Sequence, residues 1–353
     1  MRLPLALSLL FMLTTILTSC APLKPKAEPK ALWMQLPPLP ETEGFAGPFA
    51  GVTGGALLVA GGANFPVKKP WEGGAKVWYD RALVLEKPNG NWRWAGNLPR
   101  PLGYGVSVTV PNGVLCMGGS DAQAHHADTF LLEWKNARLE HTPFPPLPRL
   151  CANMSGAMAG NVVYLAGGTV SPSATNSLKT FWALDLSTQN PQWRELEPWP
   201  GPARMLAVAG SHGNDFYLFS GVELYGDAEG KPARTYLRDA YRYRPGSGWH
   251  RLADLPRPAV AAPSPAPLVN NTLLLLTGDD GSKAGFQPMS QHPGFTRTAL
   301  AFDPQTETWS EARNVPFSRA TVPAVEWQGG FVVPSGEARP GIRSPEVWTL
   351  QVK

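Results

Sequence analysis

The chain has 353 residues, of which 16% are charged and 43% are hydrophobic, and its formal net charge is +4. This hydrophobic fraction excludes a disordered chain, and a small positive charge without any block of lysines and arginines argues against a nucleic-acid partner. Gly (36), Pro (38) and Trp (13) are abundant, which favours many short strands and tight turns over long helices.

The N-terminal segment has the pattern of an export signal. Met1-Arg2 precedes an apolar run over residues 3–17, and Leu-Thr-Ser-Cys follows at residues 17–20. An apolar core of this length is typical of a signal peptide and too short to span a bilayer stably. The ending resembles a bacterial lipobox, which implies that Cys20 becomes a lipidated N-terminus. The alternative is an ordinary secretory cleavage site with a chance cysteine nearby.

Residue 21 is Ala, not the Asp that usually retains bacterial lipoproteins at the inner membrane. The resemblance therefore implies a periplasmic protein anchored to the outer membrane of a Gram-negative bacterium. Residues 1–19 are predicted to be the signal peptide, residues 20–30 a flexible tether rich in Pro and Lys, and residues 31–353 a single folded domain.

Cys116 and Cys151 lie in apolar strand-like runs, so buried free thiols are favoured over a disulfide.

An apolar run that ends in a small residue and glycine recurs six times along the chain. An alternating strand follows each run, and in four units a Trp-containing strand and a Pro/Arg turn come next. The six runs are LLVAGG (57–62), VLCMGG (114–119), VVYLAGG (162–168), FYLFSG (216–221), LLLLTG (273–278) and FVVPSG (331–336). Four evenly spaced short strands per unit predict a propeller blade, so the sequence predicts an all-β, six-bladed β-propeller.

These units resemble the kelch repeat in their Gly pair, their Trp strand and their Pro/Arg turn. A β-sandwich with coincidental Gly pairs is the alternative.

The sixth unit stops after its third strand, at residues 346–352, whereas residues 31–40 form a Trp strand that no blade precedes. The N-terminal strand is therefore predicted to complete the last blade, which removes two exposed sheet edges.

The mouth of the central channel is the expected position of the functional residues, because the turns after the second strands and before the first strands share that face. The residues that follow the Gly runs are Asn64, Ser120, Thr169, Glu223, Asp279 and Glu337. The Pro/Arg turns add Arg100, Arg149, Arg204, Arg257 and Arg319. A ring of guanidinium groups would bind a carboxylate, and a structural role within the blades is the alternative for each arginine.

Three other features of the sequence lead to expectations. Tyr104 is a further predicted polar residue of the mouth, with Asn64 and Asp279. The polar segment 221–238 is expected to be a solvated loop, with a lid as the alternative. The six histidines show no metal-site spacing, and His125-His126 is expected in an exposed loop. No metal and no cofactor are expected.

Residues 334–350, PSGEARPGIRSPEVWTL, closely resemble a motif of the bacterial N-acetylneuraminate epimerases, the sialic acid mutarotases. In that family a Gly-Glu-x-x-Pro-Gly-x-Arg segment follows a second strand, and the resemblance implies that Glu337 and Arg343 are the catalytic pair. A salt bridge that merely orders the loop is the alternative. Residues 47–66 and 100–108 resemble the next two blades of the family. Because these segments precede Glu337 here, the chain resembles a cyclically permuted member.

The resemblance implies a mutarotase that interconverts the α and β anomers of a sugar acid, most simply N-acetylneuraminate, by ring opening and closure. Glu337 would be the base, and Arg343 would bind the carboxylate or stabilise negative charge. The alternative is a non-catalytic kelch propeller that binds a glycan or an envelope protein. The expected partner is a small sugar acid, with membrane contact only through the lipid anchor; the oligomeric state is left open.

Overall fold

The structure is a computed structural model that describes residues 31–352. It contains thirty short strands and two single-turn 3-10 helices, Pro70–Glu72 and Met289–Gln291, and none of the described helices is long and apolar enough to cross a membrane. The predicted signal peptide, the predicted lipidation site Cys20 and the predicted tether lie outside the described residues and stay predictions.

Six four-stranded antiparallel sheets form the blades of a β-propeller. Blade 1 has strands Phe49–Thr53, Ala56–Ala60, Arg81–Leu85 and Arg93–Asn97. Blade 2 has Val106–Val110, Gly113–Ser120, His125–Lys135 and Arg138–Pro143. Blade 3 has Ser155–Ala159, Val162–Ala166, Phe181–Asp185 and Trp193–Glu195. Blade 4 has Val208–His212, Asp215–Phe219, Ala240–Arg244 and Gly248–Leu252. Blade 5 has Leu268–Val269, Thr272–Leu276, Thr298–Asp303 and Thr308–Asn314.

Blade 6 closes the ring by joining the two ends of the described chain. Its strands are Val325–Trp327, Gly330–Pro334, Val347–Val352 and Ala31–Leu36. Trp33 lies opposite Leu350 in the antiparallel register of the last two strands. The predicted six-bladed ring and its closure by the N-terminal strand are both confirmed.

Three smaller hairpins extend from the connections between the second and third strands of blades 1, 4 and 6. The 63–78 hairpin pairs Ala63–Asn64 with Val77–Trp78, the 222–236 hairpin pairs Val222–Gly226 with Pro232–Tyr236, and the 337–343 hairpin pairs Glu337–Arg339 with Ile342–Arg343. The segment predicted as a solvated loop, 221–238, is thus largely a paired hairpin.

The core consists of apolar layers between neighbouring blades. In blade 1, Leu57 and Val59 pack toward blade 6, whereas Leu58 and Ala60 pack toward blade 2. Because successive side chains of a strand point to opposite faces, a strand with both faces buried is apolar at every position. This geometry explains why the recurring runs are continuously apolar. Burial of each large aliphatic side chain contributes about 1.5–3 kcal/mol.

Both cysteines among the described residues are free and buried, as expected. Cys116 lies in the layer between blades 1 and 2, and Cys151 in the layer between blades 2 and 3. Burial raises the pKa of the Cys151 thiol to about 12. Both thiols are therefore small apolar packing groups.

Tryptophans in the fourth strands, or directly before them, join neighbouring blades at the rim. The indole N–H donates to a main-chain carbonyl in the segment that follows the fourth strand of the preceding blade, which satisfies a partly buried donor. The pairs are Trp92 to Pro37, Trp193 to Pro145, Trp249 to Glu197 and Trp309 to Ala253, at 2.7–3.0 Å. The Trp that recurs in the sequence therefore connects one repeat to the next.

A closed belt of main-chain hydrogen bonds surrounds the channel axis. One residue from the start of each blade donates its N–H to the carbonyl of its counterpart in the preceding blade, at 2.7–2.9 Å. All six adopt the left-handed backbone conformation, with φ between 54° and 61°. The belt residues are Gly47, Tyr104, Asn153, Leu206, Ala261 and Thr321. Because the left-handed conformation costs about 1–2 kcal/mol at most residue types, the ring of hydrogen bonds is what holds these residues in it.

Candidate active site at the channel mouth

The residues at or just after the ends of the second strands meet the chain segments just before the belt residues. Six single β-bridges make this connection, one in each blade, and the bridge partners at these strand ends are Ala63, Ser120, Thr169, Val222, Asp279 and Glu337. Four of the predicted mouth residues occupy this equivalent position. Asn64 and Glu223 lie one residue further along, because Ala63 and Val222 make the bridges in blades 1 and 4.

Glu337 and Arg343 face each other across the 337–343 hairpin. Their Oε1 and Nη1 atoms are 3.2 Å apart, an ion-pair distance without the alignment of a hydrogen bond. The Gly341 N–H donates to the same Oε1 at 2.9 Å. Gly341 has φ 79°, and a Cβ there would lie 3.0 Å from Pro70 and Trp71, so the turn that orients Glu337 requires glycine.

Arg343 is almost completely buried, with 3% of its side chain exposed, whereas 19% of the Glu337 side chain is exposed. The guanidinium carbon of Arg343 lies 4.8 Å from the centre of the Phe65 ring. No hydrogen bond to Glu337 Oε2 is found within residues 31–352. Arg343 and the Gly341 N–H therefore both engage Oε1, and the partly exposed Glu337 side chain keeps Oε2 available to a ligand.

The 63–78 hairpin adds two lysines to this region. Lys69 contacts the Glu43 carboxylate and donates to the Phe65 carbonyl at 3.0 Å. Burial and the nearby Arg343 guanidinium lower the pKa of Lys69. Lys76 lies over three aromatic rings, with its ammonium nitrogen 5.8 Å from the centre of Phe65, 5.3 Å from Trp78 and 5.0 Å from Tyr104.

A cavity of about 450 Å³ opens at this mouth. Lys76, Trp78 and Tyr104 line one side of it, and Arg234 of the 222–236 hairpin also contributes to its wall. Polar side chains from blades 2 and 3 supply further lining residues: Ser120, His125, Asn153 and Thr169. A mouth with hydroxyl, amide, imidazole and cationic groups is suited to a polar, negatively charged small molecule.

Comparison with known proteins places this chain in a family. A family model described as NANM, N-acetylneuraminate epimerase, matches residues 26–140 and 144–283, more than half of the chain. The chain belongs to the N-acetylneuraminate epimerase family. The matched residues include the 63–78 hairpin, His125 and Asn153, and they end before Glu337.

Individual relatives agree with this assignment over part of their length. The N-acetylneuraminate epimerase of Salmonella enteritidis PT4 is 42% identical over 27% of this chain and 28% of the relative. The N-acetylneuraminate epimerase of Haemophilus influenzae PittEE is 27% identical over 58% of each protein. The chain thus matches less than two thirds of these relatives. The solved structure of YjhT aligns with a TM-score of 0.65 at 15% identity, over 90% of this chain and 97% of that one, and shows the same fold.

His125 lines the cavity at the mouth, which the sequence did not reveal. It was expected in an exposed loop, but it begins the third strand of blade 2 and is only 3% exposed. Asn153 donates to Thr169 Oγ1 at 3.1 Å, and that oxygen lies 3.0 Å from His125 Nε2. The observed strand, His125–Lys135, is longer than the alternating segment 129–134 that the sequence showed. A register shift after His126 interrupts the alternation, so the first residues of the strand do not look like a strand in the sequence.

His125 makes the stability of the fold depend on pH. Burial lowers the pKa of His125 from 6.5 to about 4. The unfolded chain therefore binds a proton between these values that the folded chain does not bind, so stability falls as the pH drops from 6.5 to 4. Between pH 6.5 and pH 4, the loss in the free energy of unfolding should be about 1–3 kcal/mol smaller in His125→Gln than in the wild type. Urea unfolding at several pH values measures this difference. His141→Gln, at an exposed histidine, is the control; an equal effect of both changes would contradict the prediction.

The five arginines of the Pro/Arg turns do not share one equivalent position. Arg100, Arg149 and Arg257 lie four residues before the belt residue of their blade, whereas Arg204 and Arg319 lie two residues before it. The expectation of an equivalent arginine in five blades is therefore wrong, and these residues do not form a ring of guanidinium groups.

The buried arginines are used within their own blades. Arg204 is fully buried and donates to both carboxylate oxygens of Asp239, at 2.6 and 2.9 Å, and to the Ser220 carbonyl at 2.7 Å. Arg319 is 3% exposed and donates to Glu346 at 2.7 Å and to the Ser335 carbonyl at 2.9 Å. Both fit the structural alternative, because contact with a substrate would require these bonds to break.

The more exposed arginines also contact their own blades. Arg257 donates to the Thr298 carbonyl at 2.6 Å, Arg149 pairs with Glu195 at 2.7 Å, and Arg100 lies 3.1 Å from His126 Nδ1. None of the five arginines lines the 450 Å³ cavity. Their predicted role in substrate binding has no support from this geometry.

Two of the remaining predicted residues have internal partners. Asn64 is buried, donates to the Gly44 carbonyl at 3.1 Å and accepts from the Tyr79 hydroxyl at 2.9 Å. Asp279 accepts from the Tyr236 hydroxyl at 2.9 Å and from the Gly281 N–H at 2.9 Å. Through these internal hydrogen bonds, both residues stabilise the chain segments that form the mouth. Tyr104, Ser120 and Thr169 are the predicted mouth residues that line the cavity itself.

Proposed function

We propose that this protein is a mutarotase that interconverts the α and β anomers of N-acetylneuraminate. The observation that carries the proposal is the Glu337–Arg343 pair, which lies at the channel mouth of a protein of the N-acetylneuraminate epimerase family. Glu337 occupies the same position at the channel mouth as Ser120 and Thr169, which line the cavity, although Glu337 itself is not part of the lining.

The chemistry requires proton transfer at two oxygens. The anomeric carbon of free N-acetylneuraminate carries no hydrogen, so its anomers exchange only by ring opening and closure. A base removes the proton of the anomeric hydroxyl, the C–O bond of the ring breaks, and the ring oxygen takes up a proton from solvent water, to which it is returned on closure. Rotation of the resulting ketone and closure on its other face reverse these transfers.

Glu337 is proposed as the base, acting through Oε2, while the Gly341 N–H and Arg343 hold Oε1. Returning the same proton after rotation would restore the carboxylate. Arg343 is nearly buried and is engaged by Glu337 and Phe65, so its role in this proposal is to orient and balance the charge of Glu337.

The test is proton NMR of N-acetylneuraminate freshly dissolved as one anomer. We expect the full-length protein to shorten the equilibration time at catalytic concentration relative to buffer. Equilibration at the buffer rate would refute the proposal for this sugar. Sugar binding without faster exchange would support the non-catalytic alternative, a glycan-binding propeller.

A further inference from the structure

We propose that Lys76, held over Phe65, Trp78 and Tyr104, is the residue that binds the substrate carboxylate. The inference rests on the proposed function for the identity of the sugar acid. Lys76, and not Arg343 or an arginine of the Pro/Arg turns, is thus the residue that binds the carboxylate of the sugar.

Lys76 is the cation in this region best disposed to receive a ligand. Its ammonium group makes no ion pair and no hydrogen bond with any other described residue, and its side chain is half-buried along the cavity wall. Lys69 is engaged by Glu43 and the Phe65 carbonyl, and Arg343 by Glu337. Cation–π attraction holds the Lys76 ammonium in place but leaves its three N–H donors without oxygen acceptors.

The position of Lys76 agrees with the covalent structure of the sugar acid. In N-acetylneuraminate the carboxylate is bonded directly to the anomeric carbon, so its binding residue has to lie beside the base. The Phe65 ring contacts both Arg343, at 4.8 Å, and Lys76, at 5.8 Å. Lys76 and Arg343, the ion-pair partner of Glu337, therefore share one aromatic neighbour.

The rings beneath Lys76 carry two further hydrogen-bonding groups. The Trp78 indole N–H and the Tyr104 hydroxyl are buried and have no partner within residues 31–352. A buried donor without a partner costs about 1–3 kcal/mol, which a ligand oxygen would offset. Both atoms belong to rings that lie within 5.3 Å of the Lys76 ammonium nitrogen, so a carboxylate held by Lys76 would lie near them.

Arg234 is the rival for this role, because it also lines the cavity. Its side chain is exposed on the 222–236 hairpin, and no described contact fixes its guanidinium group. A cation that must first be ordered loses more side-chain entropy on binding than one already held against three rings. The observations therefore favour Lys76.

The experiment compares binding of N-acetylneuraminate with binding of its methyl ester, which lacks the negative charge. We expect Lys76→Gln to raise the Kd of the acid about tenfold and to leave the Kd of the ester unchanged, because a charge-assisted hydrogen bond is lost. Lys76→Arg should recover part of the affinity. Lys68→Gln, at an exposed lysine of the same hairpin, is the matched control.

Three results would overturn the inference: an unchanged Kd of the acid in Lys76→Gln, an equal loss for acid and ester, or the charge-dependent loss in Arg234→Gln instead. Binding of neither ligand by the wild-type protein would overturn it too. The titration requires no turnover. Lys76-dependent binding without faster anomer exchange would thus refute the proposed function and leave the carboxylate site standing.

Discussion

Glu337→Gln should lower the rate of anomer exchange by about 10²–10⁴ at saturating sugar, because the substitution removes the proton acceptor. Glutamine has the same shape, and its amide oxygen can still accept from the Gly341 N–H. The hairpin and the affinity for the sugar should therefore be preserved, so the loss should appear in kcat with little change in KM.

The measurement is the exchange rate by NMR at several sugar concentrations, together with the thermal unfolding midpoint. Glu326→Gln is a suitable control, since Glu326 is an exposed glutamate on the first strand of the same blade. An exchange rate of Glu337→Gln equal to that of the control would remove Glu337 from the mechanism while leaving the activity of the wild type unexplained.

Arg204→Met should lower the free energy of unfolding by about 3–5 kcal/mol, the largest stability effect that we expect from a single charge change. Methionine retains much of the volume but leaves the Asp239 carboxylate in a nearly buried position without its two charged hydrogen bonds. The Ser220 carbonyl also loses its donor. The cost arises from these uncompensated polar groups and not from the ion pair alone.

Arg149→Met provides the matched control. Arg149 also begins a blade and pairs with Glu195 at 2.7 Å, but its side chain is 44% exposed, so a loss of at most about 1 kcal/mol is expected. The double variant Arg204→Met/Asp239→Leu should recover part of the stability, since it removes the isolated carboxylate. Urea unfolding of the four proteins tests this, and equal losses in Arg204→Met and Arg149→Met would contradict the structural role of Arg204.

Much of the fold was predictable because its determinants are local and recur in every unit. The run Leu57 to Gly62 reads as a strand buried on both faces, and its counterparts recur in the same order around the ring. The unpaired third strand at the C-terminal end and the isolated Trp strand near Trp33 predicted the closure that the structure shows. The Glu337–Arg343 pair was also found from sequence, because both residues belong to one short motif.

The rest of the site depends on which groups from different blades face one another. Arg204 and Arg149 both follow a proline-rich turn and appear alike in sequence. Arg204 lies two residues before the belt residue of its blade and is buried, whereas Arg149 lies four residues before its belt residue and is exposed. His125 was assigned to a loop because the register shift of its strand breaks the alternating pattern. Lys76 carries no motif at all, and its position over three rings comes from the 63–78 hairpin meeting Tyr104 of blade 2.

By itself, the sequence determined that this chain is a closed ring of six similar blades with a Glu–Arg hairpin at one mouth, because repeated apolar runs, glycines and tryptophans specify each blade locally. Only the tertiary structure decided the belt and the cavity. The belt residues Gly47, Tyr104, Asn153, Leu206, Ala261 and Thr321 share no chemical type, and hydrogen bonds between blades, rather than their own preferences, hold them left-handed. The packing of blade 1 against blade 2 brings Lys76, Tyr104 and His125 to one cavity, an arrangement that no single blade contains.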